Sequence, residues 1–199
     1  MKRKEKFKSK LEKIPEYPRA NLPYRVHWSW NITYKCNYEC RYCSVPEKDK
    51  EYEDKKVDFG IWHDVFERLF ELYWSSHFRF SGGEPTVYPY FFELLKVVLK
   101  RNTADITTNL SFEVDKIIDE LPSASGLSIS SSFHPEYNKI ENFLKKVTAL
   151  HYSGFPTTVT CVAYPDYLTR LSEFKNIVEK EDIFFKIIPF SGKYKGRIY

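Results

Sequence analysis

Six short runs rich in β-branched and aromatic residues recur along the chain, separated by stretches with helical periodicity. They cover residues 24–33, 76–81, 104–109, 126–133, 157–163 and 183–190. Such alternation is typical of βαβ units, in which parallel strands are connected by helices. The sequence therefore predicts an α/β fold, either an open doubly wound sheet or a (β/α)6 partial barrel of the TIM type. In both, ligands are expected at the carboxyl ends of the strands.

Helices are predicted to begin near Asp58, Pro89, Asn138 and Asp166, where capping residues or a first-turn proline precede an apolar repeat. Apolar residues three or four positions apart should form the buried stripe of each helix. The first helix is expected to bury Ile61, Val65, Leu69 and Leu72. The last is expected to bury Leu168, Leu171, Phe174 and Val178.

The 199 residues suffice for one domain with a real core, and 42% of them are hydrophobic. A basic arm, residues 1–23, precedes the predicted core at 24–190 and a short tail at 191–199. Residues 1–19 contain eight Lys/Arg and three Glu, so this arm is either a solubilising tail or a contact for an acidic partner. Because no long apolar run or signal sequence is present, we expect a cytoplasmic protein without a membrane contact.

Three cysteines lie within eight residues directly after the first predicted strand. Cys36, Cys40 and Cys43 have the spacing C-x3-C-x2-C, and the remaining cysteine is Cys161, 118 residues later. Structural zinc sites normally have four protein ligands. An iron–sulfur cube needs one ligand for each of four irons, so three cysteines leave one iron open for a small molecule. The spacing favours such a cluster, with zinc and free thiols as alternatives.

The second predicted strand leads into "SGGEP", residues 81–85. Gly82 and Gly83 allow the backbone to approach a ligand closely. Glu84 places a carboxylate at the strand end, where it could accept hydrogen bonds from an ammonium group. If the strands are neighbours, this loop and the cysteines form one site.

Together, "CNYECRYC" and "SGGEP" resemble the radical S-adenosylmethionine (SAM) superfamily, whose hallmark is C-x3-C-x-aromatic-C followed one strand later by GGE. The resemblance extends over about residues 24–190. It implies a (β/α)6 partial barrel and one [4Fe–4S] cluster held by Cys36, Cys40 and Cys43. It also implies that SAM binds the open iron and is cleaved reductively to a 5′-deoxyadenosyl radical.

The same resemblance implies a set of SAM contacts. The predicted cofactor-binding residues are Tyr42, Gly82, Gly83, Glu84, Thr108, Asn109, Ser130 and Ile188. Among these, Tyr42 and Ile188 would lie against adenine, and Glu84 with its glycines would receive the SAM amino group. Ser130 would contact the carboxylate or ribose, whereas Ser132 stands where the family often has Asp.

Two further residues are less easily assigned. Cys161, within a β-branched run, is expected to be a buried structural thiol. His134, just past the fourth strand, is either a local turn residue or an acid or base toward substrate.

The resemblance implies an enzyme with an electron donor such as flavodoxin or ferredoxin. Its substrate would be a peptide, a protein or a small molecule. Two other functions stay open: a truncated or non-catalytic cluster-binding module that needs a partner, and a zinc-binding module whose basic arm contacts nucleic acid. Nothing in the body of the sequence suggests a nucleic-acid footprint.

Overall fold

A computed structural model of the protein describes residues 26–45, 57–121 and 126–199. The predicted basic arm, residues 1–23, lies outside the described residues. No helix of the described chain is long and apolar enough to cross a membrane.

Six parallel strands form one sheet in the order in which they occur along the chain. They are β1 (His27–Thr33), β2 (His77–Gly82), β3 (Thr103–Thr108), β4 (Leu127–Phe133), β5 (Thr157–Val162) and β6 (Phe184–Ile188). A doubly wound sheet reverses its strand order at a switch point. The unreversed order therefore supports the (β/α)6 partial barrel over the doubly wound alternative.

The two faces of this sheet differ in chemistry. Strands β3, β4 and β5 alternate strictly between buried and half-buried residues. Their buried positions, such as Ile106, Ile129 and Val159, belong to a core that also contains the helices. The opposite face carries mostly polar side chains, among them Thr107, Ser130 and Thr160 in the middle strands. Because only one face is apolar, the helices cover one side, as in a barrel wall.

In the part of the chain that the structure describes, five α-helices pack on the apolar face or connect the strands. They are α1 (Phe59–Tyr73), α2 (Phe91–Leu99), α3 (Asp115–Ile118), α4 (Ile140–Tyr152) and α5 (Leu171–Glu179). The Asp58 side chain caps α1 by accepting a hydrogen bond from the Gly60 amide at 2.8 Å, as predicted. A 3₁₀ segment, Pro165–Arg170, precedes α5, so that helix begins later than the sequence suggested.

The predicted buried stripe of α1 is wrong for Ile61 and Val65, whereas Leu69 packs against the core as expected. Ile61 and Val65 are exposed, whereas Phe66 is buried and Trp62 packs against the core. Both rings contact Trp30 of β1, with centroids at 4.7 Å for Trp62 and 6.1 Å for Phe66. The helix contains two overlapping apolar repeats, and the one with larger aromatic area faces the sheet, since it buries more surface.

The stripe predicted for the last helix is correct for three of its four members. Leu171, Phe174 and Val178 are buried, but Leu168 is exposed because it lies in the 3₁₀ segment before the helix.

Two short antiparallel strands follow the sheet and form a hairpin, β7 (Lys193–Tyr194) and β8 (Arg197–Ile198). Tyr194 packs edge-on against Tyr164 at a centroid distance of 5.4 Å. The hairpin thus contacts the loop that follows β5.

Candidate active site at the carboxyl ends of the strands

The cysteine loop, residues 34–45, leaves the end of β1 and curls back over the sheet. Its tight turn is closed by the Cys43 amide, which donates to the Cys40 carbonyl at 3.0 Å. The Cys36 sulfur accepts a hydrogen bond from the Tyr38 amide at 3.4 Å. Burial raises the pKa of the Cys36 thiol and raises that of Cys40 to about 12. Both thiols are therefore protonated near neutral pH, and metal ligation would release their protons.

The end of β2 touches the backbone of the cysteine loop. The Gly83 amide donates to the Thr33 carbonyl at 2.8 Å, and the Glu84 amide donates to the Lys35 carbonyl at 2.9 Å. A Cβ atom added at Gly83 would lie 2.1 Å from the Lys35 carbonyl oxygen, and one at Gly82 would lie 2.1 Å from that of Thr33. Gly82 also has a φ of +125°. Both glycines are required because the two loops are too close for any side chain between them.

The Glu84 side chain is only 1% exposed and accepts four hydrogen bonds. Its Oε1 accepts from the Thr86 amide at 3.1 Å, the Thr86 hydroxyl at 2.6 Å and the Thr108 hydroxyl at 2.8 Å. Its Oε2 accepts from the Asn109 amide at 2.7 Å. A carboxylate has about four acceptor sites. Glu84 therefore joins the loops after β2 and β3, and its contact with the SAM amino group stays a prediction.

Asn109, at the end of β3, extends this network to the cysteine loop. Its side-chain amide donates to the side-chain Oδ1 of Asn37 at 3.0 Å and approaches the Cys36 sulfur at 3.9 Å. Thr108, next to it, is 2% exposed. Thr108 and Asn109, both predicted as SAM contacts, thus lie beside Glu84, and Asn109 also lies beside the first cysteine.

His134 and Tyr42 meet on the other side of the loop. The Nδ1 atom of His134 lies 3.3 Å from the Cys40 sulfur and 3.1 Å from the Tyr42 hydroxyl. The two rings are nearly parallel, at 8°, with centroids 5.8 Å apart. Burial lowers the pKa of His134 to about 4, so the ring is neutral near pH 7. The sequence predicted His134 only as a turn residue or as an acid or base toward substrate. Its contact with Cys40 left no local signal, because the two residues are 94 positions apart.

These groups line one cavity of about 530 Å³, within the range of small-molecule sites. Its walls include all three cysteines of the loop and most of the predicted SAM contacts, namely Tyr42, Gly82, Gly83, Glu84, Thr108 and Asn109. Ser130 and Ile188 are not among its walls. Two neighbouring residues line the cavity instead. Ser132 lies two positions after Ser130 on β4, and Val162 pairs with Ile188 in the sheet.

The three cysteines suit an iron–sulfur cluster, in which one thiolate binds each of three irons. Within residues 26–45, 57–121 and 126–199, no three His, Cys, Asp or Glu side chains converge closely enough to hold one metal ion. In a cube each thiolate binds a different iron, so its ligands stand further apart than those of zinc. Three cysteines that line one cavity, together with the glycine turn at the end of β2, suit a cluster with a small ligand.

Cys161 lies elsewhere, as the sequence predicted. It is 2% exposed in the core, and burial raises its pKa to about 12. It faces the helical side of the sheet and does not line the cavity.

The fold and site define a class of enzyme: a partial barrel with a three-cysteine loop at its mouth. A model of the "Radical SAM superfamily" matches residues 30–180. The chain therefore belongs to the radical SAM superfamily. Members of this family are enzymes that use a [4Fe–4S] cluster and SAM.

Two curated proteins resemble parts of the chain. One is a PqqA peptide cyclase from Gluconobacter oxydans, 28% identical over 156 residues, covering 71% of this chain and 42% of the relative. The other is a tungsten-containing aldehyde ferredoxin oxidoreductase cofactor-modifying protein from Pyrococcus furiosus. It is 30% identical over 92 residues, covering 45% of this chain and 25% of the relative. The chain thus spans less than half the length of these two proteins.

Solved structures share the fold at low sequence identity. The enzyme anSMEcpe with bound AdoMet and Kp18Cys peptide superposes with a TM-score of 0.68 at 14% identity, over 87% of this chain and 55% of that one. Streptococcus suis SuiB bound to S-adenosylmethionine gives 0.64 at 17% identity, over 100% and 47%. BtrN in complex with AdoMet and 2-DOIA gives 0.53 at 17% identity, over 87% and 72%.

Proposed function

We propose that this protein cleaves SAM reductively at a [4Fe–4S] cluster held by Cys36, Cys40 and Cys43. The observation that carries the proposal is the shared cavity, which is lined by all three cysteines and by the glycine turn at the end of β2. When bound, the reduced cluster and SAM supply a 5′-deoxyadenosyl radical that abstracts a hydrogen atom from a substrate.

The protein's own residues bind and orient these groups. The backbone at Gly82 and Gly83 comes within hydrogen-bond distance of the cysteine loop, so a ligand there meets main-chain atoms rather than side chains. Glu84 adds a buried negative charge that favours an ammonium group nearby. Tyr42, only 8% exposed, offers a ring for adenine and helps exclude water. Ser132 and Val162 line the cavity. Ser130 and Ile188, which do not line it in this structure, stay proposed as further SAM contacts.

A peptide is the proposed class of substrate. Similarity to a PqqA peptide cyclase and the fold shared with a peptide-bound enzyme support this choice. A small molecule is the second candidate substrate, because the chain also resembles a cofactor-modifying protein. An electron donor of the flavodoxin or ferredoxin type is expected, because SAM cleavage consumes an electron.

Anaerobic reconstitution with iron and sulfide tests the cluster, and dithionite with SAM tests the chemistry. We expect about four irons per chain and release of 5′-deoxyadenosine. Cys36→Ala, Cys40→Ala and Cys43→Ala should each lose the cluster, whereas the matched control Cys161→Ala should retain it. Full iron content in Cys40→Ala would refute the ligand assignment.

Other outcomes separate the alternatives. A full cluster without SAM cleavage would indicate a cluster-binding module that requires further protein, an outcome relevant to a chain that spans about half of its relatives. One tightly bound zinc and no cluster would indicate the zinc-binding module.

A further inference from the structure

Arg41, between the second and third cysteines, binds two carboxylates from separate loops. Its Nε donates to Glu136 Oε1 at 2.5 Å, in the loop after β4. Its Nη1 donates to Asp166 Oδ2 at 3.0 Å, in the 3₁₀ segment after β5. The planar guanidinium presents several donors in a fixed geometry, so one Arg can join two acceptors where Lys offers a single point charge.

Aromatic side chains reinforce the Asp166 contact. The Arg41 guanidinium carbon lies 5.1 Å from the centroid of the Tyr164 ring, a distance typical of cation–π contacts. The Tyr194 hydroxyl of the hairpin donates to the second oxygen of Asp166. Hydrogen bonding to Tyr194 and the positive charge of Arg41 lower the pKa of Asp166. Both Asp166 oxygens are therefore engaged, one by the cysteine loop and one by the hairpin.

Backbone amides of the cysteine loop bind the same loop after β4. The Glu39 amide donates to the Tyr137 hydroxyl at 2.6 Å, and the Arg41 amide donates to Glu136 Oε2 at 3.4 Å. The ring of Tyr38 stacks on Tyr137 at a centroid distance of 4.1 Å and an angle of 5°. The middle of the cysteine loop is thus bound to the loop after β4, while its cysteines line the cavity.

We propose that Arg41 is a positioning residue that holds the cysteine loop over the cavity by bridging Glu136 and Asp166. This set of contacts, the Arg41 bridge, fixes the loop before any cofactor binds. A loop already fixed loses less conformational freedom when three thiols ligate, so the cluster binds more tightly and releases iron more slowly. The proposal rests on the proposed function for its effect on a cluster, but not for its effect on the loop.

Isolated ion pairs at a protein surface contribute little, and the Arg41 side chain is 54% exposed. The loop is held instead by a combination of contacts, since two carboxylates, an aromatic ring and two loop amides act on one segment of eight residues. Contacts within such a network are cooperative, and removing the shared Arg weakens all of them together.

The first measurement is hydrogen–deuterium exchange of the metal-free chain. In Arg41→Ala and Arg41→Lys, the amides of residues 38–43 should exchange roughly tenfold faster than in the wild type, as expected for the loss of one charge-assisted contact. The matched control is Arg68→Ala, which removes an exposed pair with Glu71 on α1 and should leave these amides unchanged. Unaltered exchange in Arg41→Ala would overturn the proposal.

The second measurement follows iron transfer from the reconstituted protein to a chelator. Arg41→Ala should lose iron faster than the wild type and Arg68→Ala. Glu136→Gln should accelerate the loss on its own, yet add little in the Arg41→Ala background, because both changes remove the same contact. Fully additive effects would contradict the bridge.

The two measurements keep the proposals distinct. If no cluster assembles but exchange depends on Arg41, the bridge exists and the proposed function is wrong. If a cluster assembles and neither readout depends on Arg41, the function stands and the bridge is wrong.

Discussion

The buried carboxylate of Glu84 holds two strand ends together through hydrogen bonds from Thr86, Thr108 and Asn109. In Glu84→Gln, either orientation of the new amide places an NH₂ group against a backbone N–H, that of Asn109 or that of Thr86. An unsatisfied buried donor costs about 1–3 kcal/mol. We expect the free energy of unfolding of the metal-free protein to fall by this amount in urea titrations.

This substitution distinguishes two roles for Glu84. A variant as stable as the wild type that no longer binds SAM would show that the carboxylate acts on the ligand alone. Reduced stability would show that the side chain is a structural link between the two loops, whatever it also contributes to SAM.

His134 is placed to influence a cluster through Cys40. A ligating thiolate only accepts hydrogen bonds, so a ring N–H at this position would donate to it and stabilise the added electron. We expect His134→Phe to make the reduction potential of the reconstituted cluster more negative. His134→Asn, which retains a nearby N–H donor, should restore most of the wild-type potential. Identical potentials in wild type and His134→Phe would exclude the contact.

Backbone hydrogen bonds between the ends of β1 and β2 fix the start of the cysteine loop. In Gly83→Ala the new methyl group would collide with the Lys35 carbonyl oxygen, which belongs to the backbone and cannot rotate away. Overpacking of this kind costs about 1–3 kcal/mol. We expect a lower unfolding temperature and a lower iron content.

Gly60→Ala is the matched control for this substitution. Its closest neighbour is the movable Asp58 side chain at 2.9 Å, and Ala favours helices over Gly. If Gly83→Ala were no less stable than Gly60→Ala, the backbone of Gly83 would not lie as close to the Lys35 carbonyl oxygen as described here.

Strands were more predictable from the sequence than contacts between loops. All six strands lie where the β-branched runs placed them, because alternating burial leaves a local signal in β3, β4 and β5. The prediction for α1 was wrong at Ile61 and Val65 because two apolar repeats overlap there, and only the partner ring of Trp30 decides which is buried. The Arg41–Glu136 contact joins residues 95 positions apart, and no local pattern encodes such a pair.

For the molecule as a whole, the core and the site occupy different parts of the sheet. The buried cluster, with members such as Phe80, Ile106 and Phe133, lies between sheet and helices, whereas the cavity opens at the strand ends. Removing the cluster with a chelator should therefore leave the far-ultraviolet circular dichroism spectrum nearly unchanged. The unfolding temperature should fall, because a ligand that binds only the folded state stabilises it. Loss of most helical signal would show that the core depends on the cofactor.

Strand β1 contains a β-bulge, which limits where the chain can gain or lose a residue. From His27 to Asn31, β1 and β2 pair in step, but Thr33 then pairs with Gly82, so Ile32 is an extra residue. As a result Ile32 and Thr33 are both buried, and the alternation along the strand changes phase. Deleting one residue between Asn31 and Cys36 would turn the following side chains toward the opposite face. Insertions and deletions between Asn31 and Cys36 should therefore be tolerated far less than insertions and deletions in surface loops.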